Sequence, residues 1–450
     1  MGNSCTSARS AKAPPQNTME TPPSRCETKE EQPIAWCPKS NRLNKEGNYA
    51  VPQLDAEFCA YTLSTTTITL MDSWTTAHTQ KLRAAVRDVV AANPILSGKV
   101  VAGEGGKGIA IARTEHKTLD PATLNVVAGP SDFEPPADIV ARCSYCQDVL
   151  GPLVPNLGNP TQQKSSGGPL FNVTLIELSD HCAAYSVSLS RIVGDGWTYY
   201  ALIDQLNCLI NGNTLEPLNW DEPDVSKEID HWSERDKFRS SKLMIPAAIS
   251  KMVTSARRKS QFIEIVDPEV ISVLKSTSRG DAAFVSTNDV VTAAVYETYR
   301  NNLAMTFCNL RSENRLPGLQ PRIGGNFDRT VLHSRAPAAG NPAFIRKRII
   351  PPPHVFFGKN EIPFWPMAKC DIGFVNNLTS LTKFIVAPKT TVSCHVLHRD
   401  HVEIVPLNAT IIFHADPTTI LCNHNMKPAD LKAAARSAEL FPKVFKLPTE

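Results

Sequence analysis

The stretch SLSRIVGDGWTYY, residues 188–200, sets an arginine four positions before an Asp-Gly pair. It has the pattern of a buried strand end, a tight turn and an aromatic-rich helix start, and a Gly-Asp-Gly at such a corner suits a site. At this spacing a proton-transfer enzyme would want a histidine. Arg191 is no substitute, because a guanidinium with a pKa above about 12 has no usable lone pair at neutral pH. It is suited instead to anchoring a carboxylate or phosphate of a ligand. It is equally suited to an ion pair with Asp195 or another carboxylate that only fills space. All three roles stay open at this stage: structural pair, ligand anchor and a part in chemistry.

Other chemical signals are sparser. Cys143 and Cys146 form the only C-x-x-C among 12 cysteines. Zinc wants a second such pair or a Cys/His pair nearby, and none is evident, so these are expected to be reduced loop or core thiols with no metal. The GEGGKG run at 103–108 lacks the context and the Lys-Ser/Thr of a phosphate loop and is expected to be a hairpin turn. The ARRKS cluster at 256–260 fits a solvated basic loop. At the N-terminus, MGNSCT matches the myristoylation pattern through Gly2, with Cys5 available for a second, palmitoyl chain. The expectation is a cytoplasmic protein, held if acylated on the cytoplasmic face of a membrane.

The elements that must position these residues follow from composition and periodicity. The chain has 450 residues, 42% hydrophobic and 20% charged, with a net charge of +3. That composition builds a large globular core and gives no ground for a nucleic-acid partner. Residues 1–45 are polar and Pro-rich and are expected to be a disordered leader. Strands are expected in FCAYTLSTTTITLMDSW and, after a Pro-rich irregular stretch, at PLFNVTLIEL and CAAYSVSLS, with AAFVS, AMTFCNLR, FIVAP and TIIFHA in the second half. Leu82, Val86, Val89 and Val90 share one helical face, and Asn93-Pro94 stops that helix before ILSGKVV resumes as strand. Leu202, Leu206, Leu209 and Ile210 mark a second helix. A third starts with a cap at Thr287 or Asn288 and turns Val291, Ala294, Val295 and Thr298 inward. The polar, Pro-containing 216–260 is a crossover between a lobe at 46–215 and a lobe at 261–450.

In order and spacing, R-x-x-x-D-G before a helix, VSTNDVVTAAV, NLRSENRLPGLQPRIGGN and DIGFVNN together resemble the acyl-CoA-dependent acyltransferases with an H-x-x-x-D motif. That group includes the plant BAHD acyltransferases and is kin to chloramphenicol acetyltransferase and peptide-synthetase condensation domains. The resemblance implies an α/β fold of two chloramphenicol-acetyltransferase-like lobes, each a mixed sheet with helices, around a central channel. It implies a monomer that transfers an acyl group from acyl-CoA, a co-substrate rather than a tightly bound cofactor. The acceptor would be a hydroxyl or amine of a small molecule or lipid. It further implies that Asp195, followed by Gly196, is structural and pairs with Arg311. Asp371 and Gly373 would shape the channel, with the family's Trp and last Gly lost, and Ser286, Thr287, Asn288 and Asp289 would line it towards the cofactor. Arg191 stands where the family has its catalytic histidine, so the alternative is a catalytically silent relative that binds a ligand or partner. Among substitute bases, His181 lies ten residues of strand away, roughly 30 Å. His395, His398, His401 and His414 are expected to be surface or packing residues.

Overall fold

The computed structural model describes residues 49–50, 64–103, 109–112, 124–220, 260–299, 301–311, 322–349, 372–399, 408–426 and 443–446. The leader with Gly2 and Cys5, most of the crossover, the ARRKS cluster up to Lys259, Asp371 and His401 lie outside them.

In chain order the first half contributes strands β1 (Tyr49–Ala50), β2 (Thr65–Asp72), β3 (Lys99–Ala102), β4 (Ile109–Ala112), β5 (Leu124–Ala128), β6 (Phe171–Ser179) and β7 (Cys182–Leu189). The second contributes β8 (Ser260–Ile265), β9 (Leu303–Asn309), β10 (Asp328–Ser334), β11 (Ile372–Asn377), β12 (Thr391–Leu397), β13 (Asn408–His414), β14 (Ile420–Met426) and β15 (Lys443–Lys446). Two mixed sheets result. One has the order β12-β2-β7-β6-β5 and is antiparallel except between β5 and β6. The other has the order β10-β9-β11-β13-β14-β8-β15, with β9, β11 and β13 parallel. A small sheet β1-β4-β3 belongs to the first lobe, with β3 and β4 antiparallel; the GEGGKG run expected as their turn lies, from 104 to 108, outside the described residues.

The β-branched run of β2 suits its place between β12 and β7, where Thr67, Ile68, Thr69 and Leu70 are buried. Helix Thr76–Ala92 buries the expected Leu82, Val86, Val89 and Val90 and ends at Asn93. Pro94–Ser97 then forms a short tight helix, so ILS is not strand and β3 starts only at Lys99. Helix Gly196–Ile210 buries Leu202, Leu206 and Ile210 as expected, leaves Leu209 half-buried, and packs on helix Thr76–Ala92. In the second lobe, helices Pro268–Thr277 and Thr287–Thr298 cover one face of the larger sheet, with Val291, Ala294, Val295 and Thr298 buried.

Three local expectations are corrected. AAFVS is not a strand: Ala282 and Val285 instead pack with Val290 and Ala343 against the helices. FIVAP is not a strand either, because side chains of the first lobe take its backbone groups. Ile385 N donates to Tyr185 Oη at 2.8 Å, and Val386 N to Asn207 Oδ1 at 2.9 Å. The cap of the third helix is Ser286, one residue before the expected position.

One strand crosses between the halves. β12 comes from the second half of the sequence, yet it pairs antiparallel with β2, with a bulge between Val392 and Cys394. A single hydrophobic core therefore joins β2, β6 and β7 to Ile385, Ile411, Phe413 and Leu421. Among the described residues no helix is long and apolar enough to cross a membrane.

Candidate active site

The corner at 190–198 is where the two lobes meet. Strand β7 ends at Leu189, Val193 N donates to the Ser190 carbonyl, and Asp195 caps the next helix by accepting Thr198 N at 3.0 Å on Oδ1. The helix cap is thus the local reason for an aspartate here. Its other oxygen faces the second lobe, where Oδ2 accepts Arg311 Nη1 and Phe327 N, both at 2.8 Å. Both side chains of the Asp195–Arg311 pair are buried.

Arg311 leads the loop after β9. Asn309 Oδ1 accepts its backbone N–H at 3.0 Å, which accounts for the N-x-R spacing. Its Nε donates to the Ile323 carbonyl at 2.8 Å, and Nη2 donates to the Gly325 carbonyl at 2.7 Å and Thr198 Oγ1 at 3.1 Å. The guanidinium carbon lies 4.4 Å from the centre of the Trp197 ring and 5.0 Å from that of Phe327. Gly325 closes the junction at φ 128°, donating to Thr198 Oγ1 and accepting Asp195 N. Burial pushes the Asp195 carboxyl up. The Arg311 charge and the hydrogen bonds from Arg311, Thr198 and Phe327 outweigh that and hold it below the usual carboxylate range.

Arg191 is placed differently. Its Nη2 stands 3.9 Å from Asp328 Oδ2, and these side chains are 11% and 24% exposed. Nη1 is 3.5 Å from the Gly194 carbonyl, and Asn326 Nδ2 donates to the Arg191 carbonyl at 2.9 Å. Asp195 pairs with Arg311, and a carboxylate near Arg191 among the described residues is Asp328, which the sequence patterns did not single out.

The imidazoles considered as substitutes lie elsewhere. His181 is exposed at the turn before β7. His395 on β12 pairs with Thr69, itself opposite Tyr185, which puts it about 20 Å along the strands from Arg191. It is buried. Its Nδ1 lies 2.7 Å from Thr69 Oγ1 and its Nε2 3.2 Å from Tyr200 Oη. Burial first, and the neighbouring His414 second, push it down to about 3. His398 Nε2 is 3.3 Å from the Gly151 carbonyl. His414 is half-buried, and burial lowers its pKa. A further buried chain went unseen in the sequence: Glu264 Oε2, His424 and Thr410 Oγ1 are linked at 2.9 and 2.8 Å, and Thr410 meets Tyr299 Oη at 2.7 Å. It lies on the helix-covered face of the larger sheet and ties that sheet to its helices.

Ser286, Thr287, Asn288 and Asp289 form the first turn of helix Thr287–Thr298. Asp289 Oδ2 accepts Ser286 N, Ser286 Oγ and Arg346 Nε, while Asn288 Oδ1 accepts Thr292 Oγ1. Gly373 sits under Tyr299, where a Cβ would overlap the ring. Cys143 and Cys146 are buried in the first lobe, with Cys143 Sγ 3.4 Å from Cys394 Sγ. A shared hydrogen bond with Cys394, then burial, hold the Cys146 thiol well above its usual range, so it is a poor nucleophile.

The fold has solved counterparts. TRI101 of F. graminearum, complexed with Coenzyme A and T-2 mycotoxin, matches with a TM-score of 0.60 at 11% identity, over 88% of this chain and 98% of that one. TRI101 of F. sporotrichioides, complexed with Coenzyme A and T-2, matches with 0.56 at 13% identity, over 88% and 99%. The first condensation domain of the CDA synthetase matches with 0.53 at 12% identity, over 86% and 92%. At these identities the likeness is one of fold: the chain has the two-lobed, chloramphenicol-acetyltransferase-like architecture. No protein-family model matches the sequence, and no curated protein does.

Proposed function

We propose that this chain is an acyl-CoA-dependent acyltransferase with a degenerate corner motif, R-x-x-x-D-G, acting on a small-molecule acceptor. One observation carries this reading: Asp195 and Arg311 join the two lobes through a buried charged hydrogen bond of 2.8 Å, with Arg191 presented beside them. Coenzyme A in the TRI101 complexes supports acyl-CoA as the co-substrate. Asp195 and Gly196 act structurally. Arg191 does not act as general base, so binding donor and acceptor together, with electrostatic help from the guanidinium, supplies the acceleration. Loss of a base removes about 10² to 10⁴ in rate.

A second reading, a silent binding protein, draws on the Arg191–Asp328 contact, which neutralises the guanidinium without any ligand. Coenzyme A release from several acyl-CoAs, measured for wild type and Arg191→His, separates the two. Measurable wild-type turnover that falls in Arg191→His supports the transferase. Turnover that appears only in Arg191→His means that the wild type is silent at this corner. An N-terminal lipid anchor belongs to the same proposal: Gly2→Ala should move the protein from membrane to soluble fractions, and no shift removes it.

A further inference from the structure

The C-x-x-C pair takes no part in the corner, but it has a partner of its own. Cys143 and Cys146 lie on helix Ile139–Tyr145 and the wider helical turn Cys146–Leu150 that continues it. Residues at i and i+3 share one helical face. That face meets Cys394 on β12, the strand that comes from the second half of the sequence. Cys143 Sγ lies 3.4 Å from Cys394 Sγ, and Cys146 shares a hydrogen bond with the same thiol. All three are buried, and all three are free thiols. Contacts on either side hold this meeting in register. Cys394 follows the β12 bulge, and Arg142 Nη1 donates to the Ser393 carbonyl in that bulge at 3.3 Å. One turn further on, Gln147 Nε2 donates to the Leu397 carbonyl at 3.0 Å. Bonding the two sulfurs asks them to approach by little more than about 1 Å.

We propose that Cys143 and Cys394 form an oxidation-sensitive latch, closing into a disulfide that staples β12 to the first lobe. The oxidant is a peroxide, small and uncharged. A thiolate of the pair attacks one peroxide oxygen and the O–O bond breaks. That sulfur becomes a sulfenic acid, and the hydroxide that leaves is protonated to water. The second sulfur then attacks the sulfenic sulfur, the S–O bond breaks, and a second water departs. Two thiols lose two electrons and two protons, and hydrogen peroxide becomes two waters. Cys146 touches Cys394 as well, so a bond first made there passes to Cys143 by thiol–disulfide exchange. Burial and the hydrogen bond from Cys143 hold the Cys394 thiol well above its usual range, so the latch closes slowly beside an exposed thiol. The two residues are 251 positions apart, so the bond restricts the unfolded chain strongly.

The test takes the full-length chain, fully reduced and freed of reductant, and treats it with hydrogen peroxide. Remaining thiols are alkylated, and the protein is digested without reductant for mass spectrometry. The expected product joins the peptide of Cys143 to that of Cys394. The melting temperature should rise by about 3–6 °C, and dithiothreitol should reverse both changes. Cys394→Ala should lose the linked peptide and the redox-dependent shift, whatever its basal stability. The latch is overturned if peroxide leaves the two unlinked, carries them to sulfinic or sulfonic acids, or finally links either to another cysteine. A shift of the same size in Cys394→Ala overturns it too. Mapping the bond in the wild type needs no variant, so a Cys394→Ala chain that fails to fold leaves the outcome decided.

Discussion

A carboxylate taken out of water needs compensation of several kcal/mol, and Asp195 receives it from a residue 116 positions away. Arg311→Met leaves that carboxylate buried and alone, and should lower stability by about 3–5 kcal/mol in denaturant titrations, while Asp195→Asn with Arg311→Met together should cost less than the sum of the two. Because the Asp195 carboxyl is held below its usual range in the folded state, its contribution is present in full above the unfolded value near about 4 and is lost as pH falls through the folded one. The stability gap between wild type and Asp195→Asn should therefore close below about pH 4. His395 has the same sign at a different pH. Its folded value is pushed down to about 3 against about 6.5 unfolded, so protonation of the unfolded chain erodes stability progressively as pH falls from about 6.5 towards 3. His395→Gln loses bonds to Thr69 and Tyr200 and should be less stable at pH 8, with a flatter acid limb. An equal pH slope in both proteins would remove this role of His395. At this scale the sequence reached Asp195, Arg311 and the charge of Arg191. It missed Asp328 and the Glu264–His424–Thr410 chain, whose members meet only through strand register.

Elements were legible where one face repeats and a terminus carries a cap. The helix at Thr76–Ala92 shows its buried face at i, i+4, i+7 and i+8, whereas the cap expected at Thr287 or Asn288 is Ser286, which forms a reciprocal cap with Asp289. Ser286→Ala should cost about 1 kcal/mol by thermal or chemical unfolding. Gly373 is a sharper case. It lies in β11 directly under the Tyr299 ring, and Tyr299 Oη donates to the neighbouring Phe374 carbonyl at 2.8 Å. Gly373→Ala forces that ring or the strand to move, and should cost about 1–3 kcal/mol, relieved in part by Tyr299→Leu. The short apolar runs AAFVS and FIVAP misled because four or five apolar residues carry no period of their own. Helices captured the first. Hydrogen bonds donated to Tyr185 and Asn207, on the other lobe, captured the second.

At the scale of the molecule, the first sheet is incomplete without β12. A fragment of residues 46–215 would leave the β2 edge unpaired and its Leu70 and Ile68 flank uncovered, so it should aggregate instead of folding as a monomer. Size-exclusion chromatography of that fragment, alone and co-expressed with 261–450, checks this, and a folded monomeric fragment would contradict it. The same exchange should make the two lobes unfold together in one calorimetric transition.

By itself the sequence determined the two-lobed α/β layout and the helices with a continuous apolar face. It also determined that the corner carries a permanent cation at Arg191. These are set by neighbours along the chain: side-chain periodicity, capping groups and the chemistry of a guanidinium. Only the tertiary structure decided that Asp195 spends its second oxygen on the other lobe, that Arg191 faces Asp328, and that β12 completes the first sheet. Those choices depend on groups from 116 to more than 300 residues apart, which come together only when strand edges pair and buried polar atoms find partners.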